Sequence, residues 1–97
     1  MIRHVVMFKL KEEATAAQVD DFLADLRSLP GIVPQVRAFT VGRDIGVNTG
    51  NFDVCAVVDF ENPEGYLAYR DNPEHQRMIR EKGSLLIAQR SAVQFEV

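Results

Sequence analysis

Two stretches of this sequence are apolar on both faces of a strand, so the sheet they form needs a cover on each side. Residues 2–10 (Ile-Arg-His-Val-Val-Met-Phe-Lys-Leu) read as a strand. Side chains alternate across a strand, so Ile2, His4, Val6, Phe8 and Leu10 share one face. Val5 and Met7 share the other, between Arg3 and Lys9. Residues 52–60 repeat the pattern: Phe52, Val54, Ala56, Val58 and Phe60 oppose Cys55 and Val57, with Asp53 and Asp59 towards the ends. An antiparallel sheet with one wet face alternates cleanly between apolar and polar, and this one does not. Helices from a chain of 97 residues can cover one face only. Each exposed Val or Met forgoes about 1.5–3 kcal/mol of burial. Val5, Met7, Cys55 and Val57, taken over two copies, amount to roughly 12–24 kcal/mol gross, against about 4–15 kcal/mol for association. A face-to-face homodimer is therefore expected, two-fold pairing being the commonest choice. The alternative is a scatter of exposed apolar residues, which is normal on a monomer.

The rest of the chain punctuates itself. Residues 15–28 read as a helix, with Thr15 and Gln18 forming a capping box. Val19, Phe22, Leu23 and Leu26 make its single apolar stripe, and Pro30-Gly31 ends it. Residues 36–41 alternate as a second strand, and the Gly/Asn-rich 42–51 reads as a loop. Two Asn-Pro-Glu triplets, at 62–64 and 72–74, each place Asn as N-cap and Pro at the first helical position. They predict helices over about 63–70 and 73–81, with Lys82-Gly83 as a helix end. Residues 87–96 form the last strand. The order β-α-β-β-α-α-β predicts an α+β, ferredoxin-like sandwich with a four-stranded antiparallel sheet, in one domain over 1–97.

Composition narrows the partners. With 11 basic and 14 acidic residues there is no basic excess to favour nucleic acid. No apolar run approaches the roughly 20 residues of a membrane span. Arg3, His4 and Lys9 break up the first ten residues, against a signal peptide. The single cysteine, Cys55, has no intrachain disulfide partner, and the expected setting is reducing and cytoplasmic. Neither a helical His-x-x-x-His pair nor a Cys cluster is present, so no metal and no cofactor are expected.

Chemistry concentrates in Tyr69-Arg70-Asp71-Asn72-Pro73-Glu74-His75, taken with His4. These are the only two histidines, one mid-strand and one on the first turn of a helix. Both positions can face the inside of a small α+β domain. Each has a plain structural alternative: His4 as a core histidine bonded to a carbonyl, His75 as part of a helix start, Tyr69 as a core aromatic. Tyr66 reads as packing or rim.

These residues, with Arg3 to Leu10, the Leu29-Pro30-Gly31-Ile32-Val33-Pro34 turn, Val41-Gly42-Arg43-Asp44 and the run Phe52–Phe60, resemble the stress-responsive A/B-barrel (Dabb) family nearly end to end. The resemblance implies a ferredoxin-like fold and a homodimer whose sheets face each other as a barrel. In a plant polyketide cyclase of that family, a tyrosine and a histidine do acid/base work in a pocket between sheet and helices, and a strand histidine lines it. By resemblance those positions fall on Tyr69, His75 and His4. The pocket wall is then expected from Val6, Phe8, Phe22, Leu26, Val54, Ala56 and Leu86, and the dimer interface from Val5, Met7, Cys55 and Val57. The pattern departs at Leu26, Val54 and Leu86, where the cyclase has an aromatic, a histidine and an aromatic. The pocket here is more aliphatic, for a different substrate.

A histidine suits removal of a proton next to a carbonyl, and a buried tyrosine hydroxyl suits stabilising the enolate that forms. The expected function is a dimer that binds a small apolar or carbonyl compound, with cofactor-free, cyclase- or isomerase-like acid/base activity. The alternatives are a non-catalytic stress-response or structural dimer, and a cofactor-free monooxygenase, which the absence of Trp disfavours.

Overall fold

Strand β1 (Ile2–Leu10) lies at the middle of the sheet, where both of its edges are bonded. The computed structural model describes residues 1–97. After β1 come α1 (Ala16–Ser28), β2 (Ala38–Arg43), β3 (Val54–Phe60), α2 (Pro63–Asp71) and α3 (Pro73–Met78). A π-helical turn (Ile79–Gly83) and one helical turn, α4 (Ser84–Leu86), lead into β4 (Ile87–Glu96). The sheet has four strands in the order β2-β3-β1-β4. Every pairing is antiparallel, with Val5 opposite both Val57 and Val93. This is the ferredoxin-like α+β sandwich.

The helix starts follow the sequence. Gln18 N–H donates to Thr15 Oγ1 at 3.1 Å, and Thr15 N–H donates to Gln18 Oε1 at 2.9 Å. The Asn62 side chain accepts from Gly65 N–H at 2.9 Å. Asn72 accepts from Glu74 and His75 N–H at 2.9 and 3.3 Å. These bonds satisfy N–H groups that a helix start leaves without partners. The apolar stripe of α1 then packs Val19, Phe22, Leu23 and Leu26 onto Val6, Phe8, Val54, Ala56, Val58 and Phe60 of the sheet.

Two regions differ from expectation, the β2–β3 pair and the end of the last helical segment. Strand β2 spans Ala38–Arg43 rather than 36–41, and β3 begins at Val54 rather than 52. Gly42 pairs with Cys55 and Arg43 with Val54, because a glycine can sit in a strand when both of its neighbours pair. Before Val54 the Asp53 backbone still accepts from Asp44 N–H and donates to the Phe8 carbonyl, both at 2.9 Å, and its carboxylate also accepts from Leu10 N–H at 2.7 Å. The second difference is at Lys82-Gly83, where the helical chain does not stop but continues to Leu86. Gly83 keeps right-handed helical angles (φ −56, ψ −45). A Cβ there would meet Phe22 Cζ at 3.3 Å and Ile87 Cδ1 at 3.4 Å. The glycine therefore serves close packing rather than termination. Lys82 also ties this turn to α1, through Asp21 at 2.7 Å and Asp25 at 2.8 Å.

The opposite face of the sheet has no helix. Val5, Met7, Cys55 and Val57 lie there, and Val93 and Phe95 of β4 extend the patch. Met7 is 39% exposed, Val93 55% and Phe95 44%. Arg3 closes one end, donating to both Asp59 oxygens at 2.8 and 3.0 Å. No helix is long and apolar enough to cross a membrane.

Candidate functional site

His4 reaches the covered face because strand alternation puts it in line with Val6 and Phe8. It is 3% exposed. Its ring lies 4.8 Å from the Tyr66 ring and 6.2 Å from the Tyr69 ring, centre to centre. The two tyrosines are three residues apart on α2 and so project from one side of that helix. The Asn72-Pro73 junction then turns the chain, stacking the His75 ring 4.3 Å from that of Tyr69. These groups share a cavity of about 200 Å³ between sheet and helices. Its wall holds His4, Val6 and Phe8 from β1, Ala56 from β3, and Leu26 from α1. Tyr66, Tyr69, Arg70, His75, Gln76 and Ile79 come from the helical side, and Ile87 and Arg90 from β4.

Of the residues expected on the wall, Val6, Phe8, Leu26 and Ala56 line this cavity, and Phe22, Val54 and Leu86 do not. Phe22 sits a helical turn before Leu26, its ring 6.1 Å from that of Phe8. Val54 pairs with Phe8, one step along the face beyond Ala56, and Leu86 is sealed in the core at 3% exposure. Tyr66, expected as packing or rim, also lines the cavity, as does Arg70 of the Tyr69–His75 stretch; Gln76, Ile79, Ile87 and Arg90 are not among the expected residues. The Asn-Pro junction carried a signal for Arg70 and Gln76, which flank it. Ile87 and Arg90 carried none, because a bulge in β4 opposite Lys9 and Leu10 sets their facing: Leu10 pairs with Ile87 and Phe8 with Arg90.

Hydrogen bonds fix the two imidazoles differently. The Gln94 amide nitrogen donates to His4 Nδ1 at 2.8 Å, which leaves the ring proton on Nε2. His75 Nδ1 lies 3.3 Å from the Arg70 carbonyl, an acceptor, so Nδ1 carries the proton and Nε2 keeps its lone pair. Burial pulls His4 down from 6.5 to about 4, with Arg90 and His75 adding to the effect. Burial also lowers His75, against the opposing bond to Arg70. Burial, helped by Tyr66, pushes the Tyr69 phenol above its ordinary 10.0. At neutral pH all three groups are therefore uncharged: one free basic nitrogen, one imidazole N–H donor and one phenol.

His4 ties this site to folding. Its proton is bound in the unfolded chain below pH 6.5 but in the folded chain only below about 4. Stability is therefore fully present above 6.5 and falls as pH drops towards 4, by about 3 kcal/mol for this group. Urea midpoints measured across that window should show the slope, and His4→Gln should remove most of it. An unchanged slope in the variant would assign it elsewhere.

Fold and site together define a ferredoxin-like α+β domain with a small polar-floored cavity beneath its helices. This chain belongs to the stress-responsive A/B-barrel (Dabb) family, whose pattern matches residues 2–97. Its fold is similar to that of a dimeric ferredoxin-like protein of unknown function from Thermobifida fusca, with 32% identity and a TM-score of 0.90 over 99% of this chain and 90% of that one. A hydroxynitrile lyase from Passiflora edulis shares the fold at 19% identity and a TM-score of 0.87, over 99% and 92% of the two chains. A Dabb family protein from Mesorhizobium loti does so at 22% and 0.83, over 99% and 95%. No protein of curated function matches the sequence.

Proposed function

We propose that this protein is a homodimer that binds a small carbonyl compound in the cavity and moves a proton next to its carbonyl without a cofactor. The observation that carries this reading is that His4, Tyr69 and His75 lie on one cavity wall, all uncharged and in complementary hydrogen-bonding states. His75 Nε2 is the base. The Tyr69 hydroxyl and the His4 Nε2–H are donors for the oxygen on which negative charge develops, where preorganised donors have their largest effect. Aliphatic Val6, Leu26, Ala56, Ile79 and Ile87 hold the carbon skeleton. The volume of about 200 Å³ is below the roughly 300–1,000 Å³ of pockets for drug-sized ligands, which favours a small compound. Crystals soaked with a panel of small aromatic and polyketide-like ketones test it. A ketone oxygen is expected about 2.6–3.2 Å from the Tyr69 hydroxyl. A cavity that stays closed to every member of the panel would replace this reading with a structural role for the three side chains.

A further inference from the structure

Two guanidinium groups line the cavity, and they differ in their company. Arg70 is occupied: it donates to both carboxylate oxygens of Asp71, at 2.8 and 3.1 Å. The Arg90 guanidinium has neither an ion pair nor a hydrogen bond to another residue, although the chain has more acidic than basic groups. No Asp or Glu lies on the cavity wall. Arg90 pairs with Phe8 on the helix side of the sheet, the side that carries His4. Its charge also lowers both His4 and His75, so it acts on the same space as they do. A planar guanidinium suits a carboxylate, which it can grip through two parallel hydrogen bonds.

Building on the carbonyl-binding reading above, we infer that the ligand is a small oxo-carboxylate, its carboxylate held by Arg90 and its ketone directed to Tyr69 and His4. The carbon between the two groups then faces the neutral His75 ring. An incoming carboxylate supplies the anion that the wall lacks.

Acetoacetate and acetylacetone make a matched pair: the same ketone and the same acidic carbon, with a carboxylate in one and an acetyl group in the other. Each is titrated into the wild type and into Arg90→Gln, and the histidine ring resonances are followed by NMR. Acetoacetate should bind the wild type roughly ten- to a hundred-fold more tightly than acetylacetone, as expected for hydrogen bonds to a charged group. Added salt should weaken acetoacetate alone. In Arg90→Gln the preference should vanish, acetoacetate binding no more tightly than acetylacetone. Equal binding of the two compounds by the wild type would overturn the carboxylate anchor and leave carbonyl binding standing. Binding of neither would overturn both. An acetoacetate preference that survives in Arg90→Gln would remove Arg90 from the role.

Discussion

Replacing Val57 with aspartate is expected to turn the proposed dimer into a monomer. Val57 sits at the centre of the helix-free face, opposite Val5 on one side and Thr40 on the other. If two such faces meet, a two-fold axis doubles every substitution, and Val57→Asp buries two carboxylates where Arg3, on the same face, is already held by Asp59. An uncompensated buried charge costs about 3–5 kcal/mol, so the pair raises the dissociation constant by roughly four to seven orders of magnitude. The isolated chain should survive, because Val57 is only half-buried within it and its core partners lie on the other face. Light scattering should report the mass of one chain, with the circular dichroism of the wild type. A variant that remains dimeric would place the interface elsewhere.

His75→Ala should slow proton exchange at the carbon next to a bound ketone by about a hundred- to ten-thousand-fold, the usual contribution of a positioned base. Deuterium uptake from heavy water, followed by NMR, measures it directly. The His75 ring also stacks on Tyr69, so part of any loss could come from a displaced phenol. His75→Asn separates the two effects: its amide can still donate to the Arg70 carbonyl but offers no basic nitrogen. Loss in both variants assigns the role to the base. Tyr69→Phe should cost about a hundred- to a thousand-fold if the hydroxyl holds the developing charge. Exchange at wild-type rates in His75→Ala would end the acid/base reading.

The parts of this molecule that could be read in the sequence are those set by local rules. Thr15 and Gln18 announce their own helix, as do Asn62 and Asn72, because a cap is made by residues within three positions of each other. Alternation in β1 and β3 sorted the covered from the bare face for the same reason, and it put His4 on the cavity side. What stayed hidden depends on distant partners. Gly83 looks like a stop until Phe22 is seen packed against it. The extent of β2 is decided by which residues of β3 remain to pair with it. The site was half legible: Tyr69 and His75 flank a visible Asn-Pro turn, whereas Gln94 bonds to His4 across 90 residues of chain. Arg90 belongs to the cavity only because of how β4 registers against β1.

That register has a consequence for how the family can diversify. Ile87 and Arg90 are three residues apart, an odd spacing that a regular strand would send to opposite faces, yet both line the cavity because the bulge absorbs Ala88. From Gln89 onwards the ladder with β1 is regular. A gain or loss of a residue just before Gln89 would be taken up at this slack point and would not slide the strand. Length variation there would move Ile87 on the cavity wall and the helical turn before it, while Arg90, Ala92 and Gln94 keep their places. The bulge thus works as a joint at which one part of the wall can change independently of the polar groups on the rest of it.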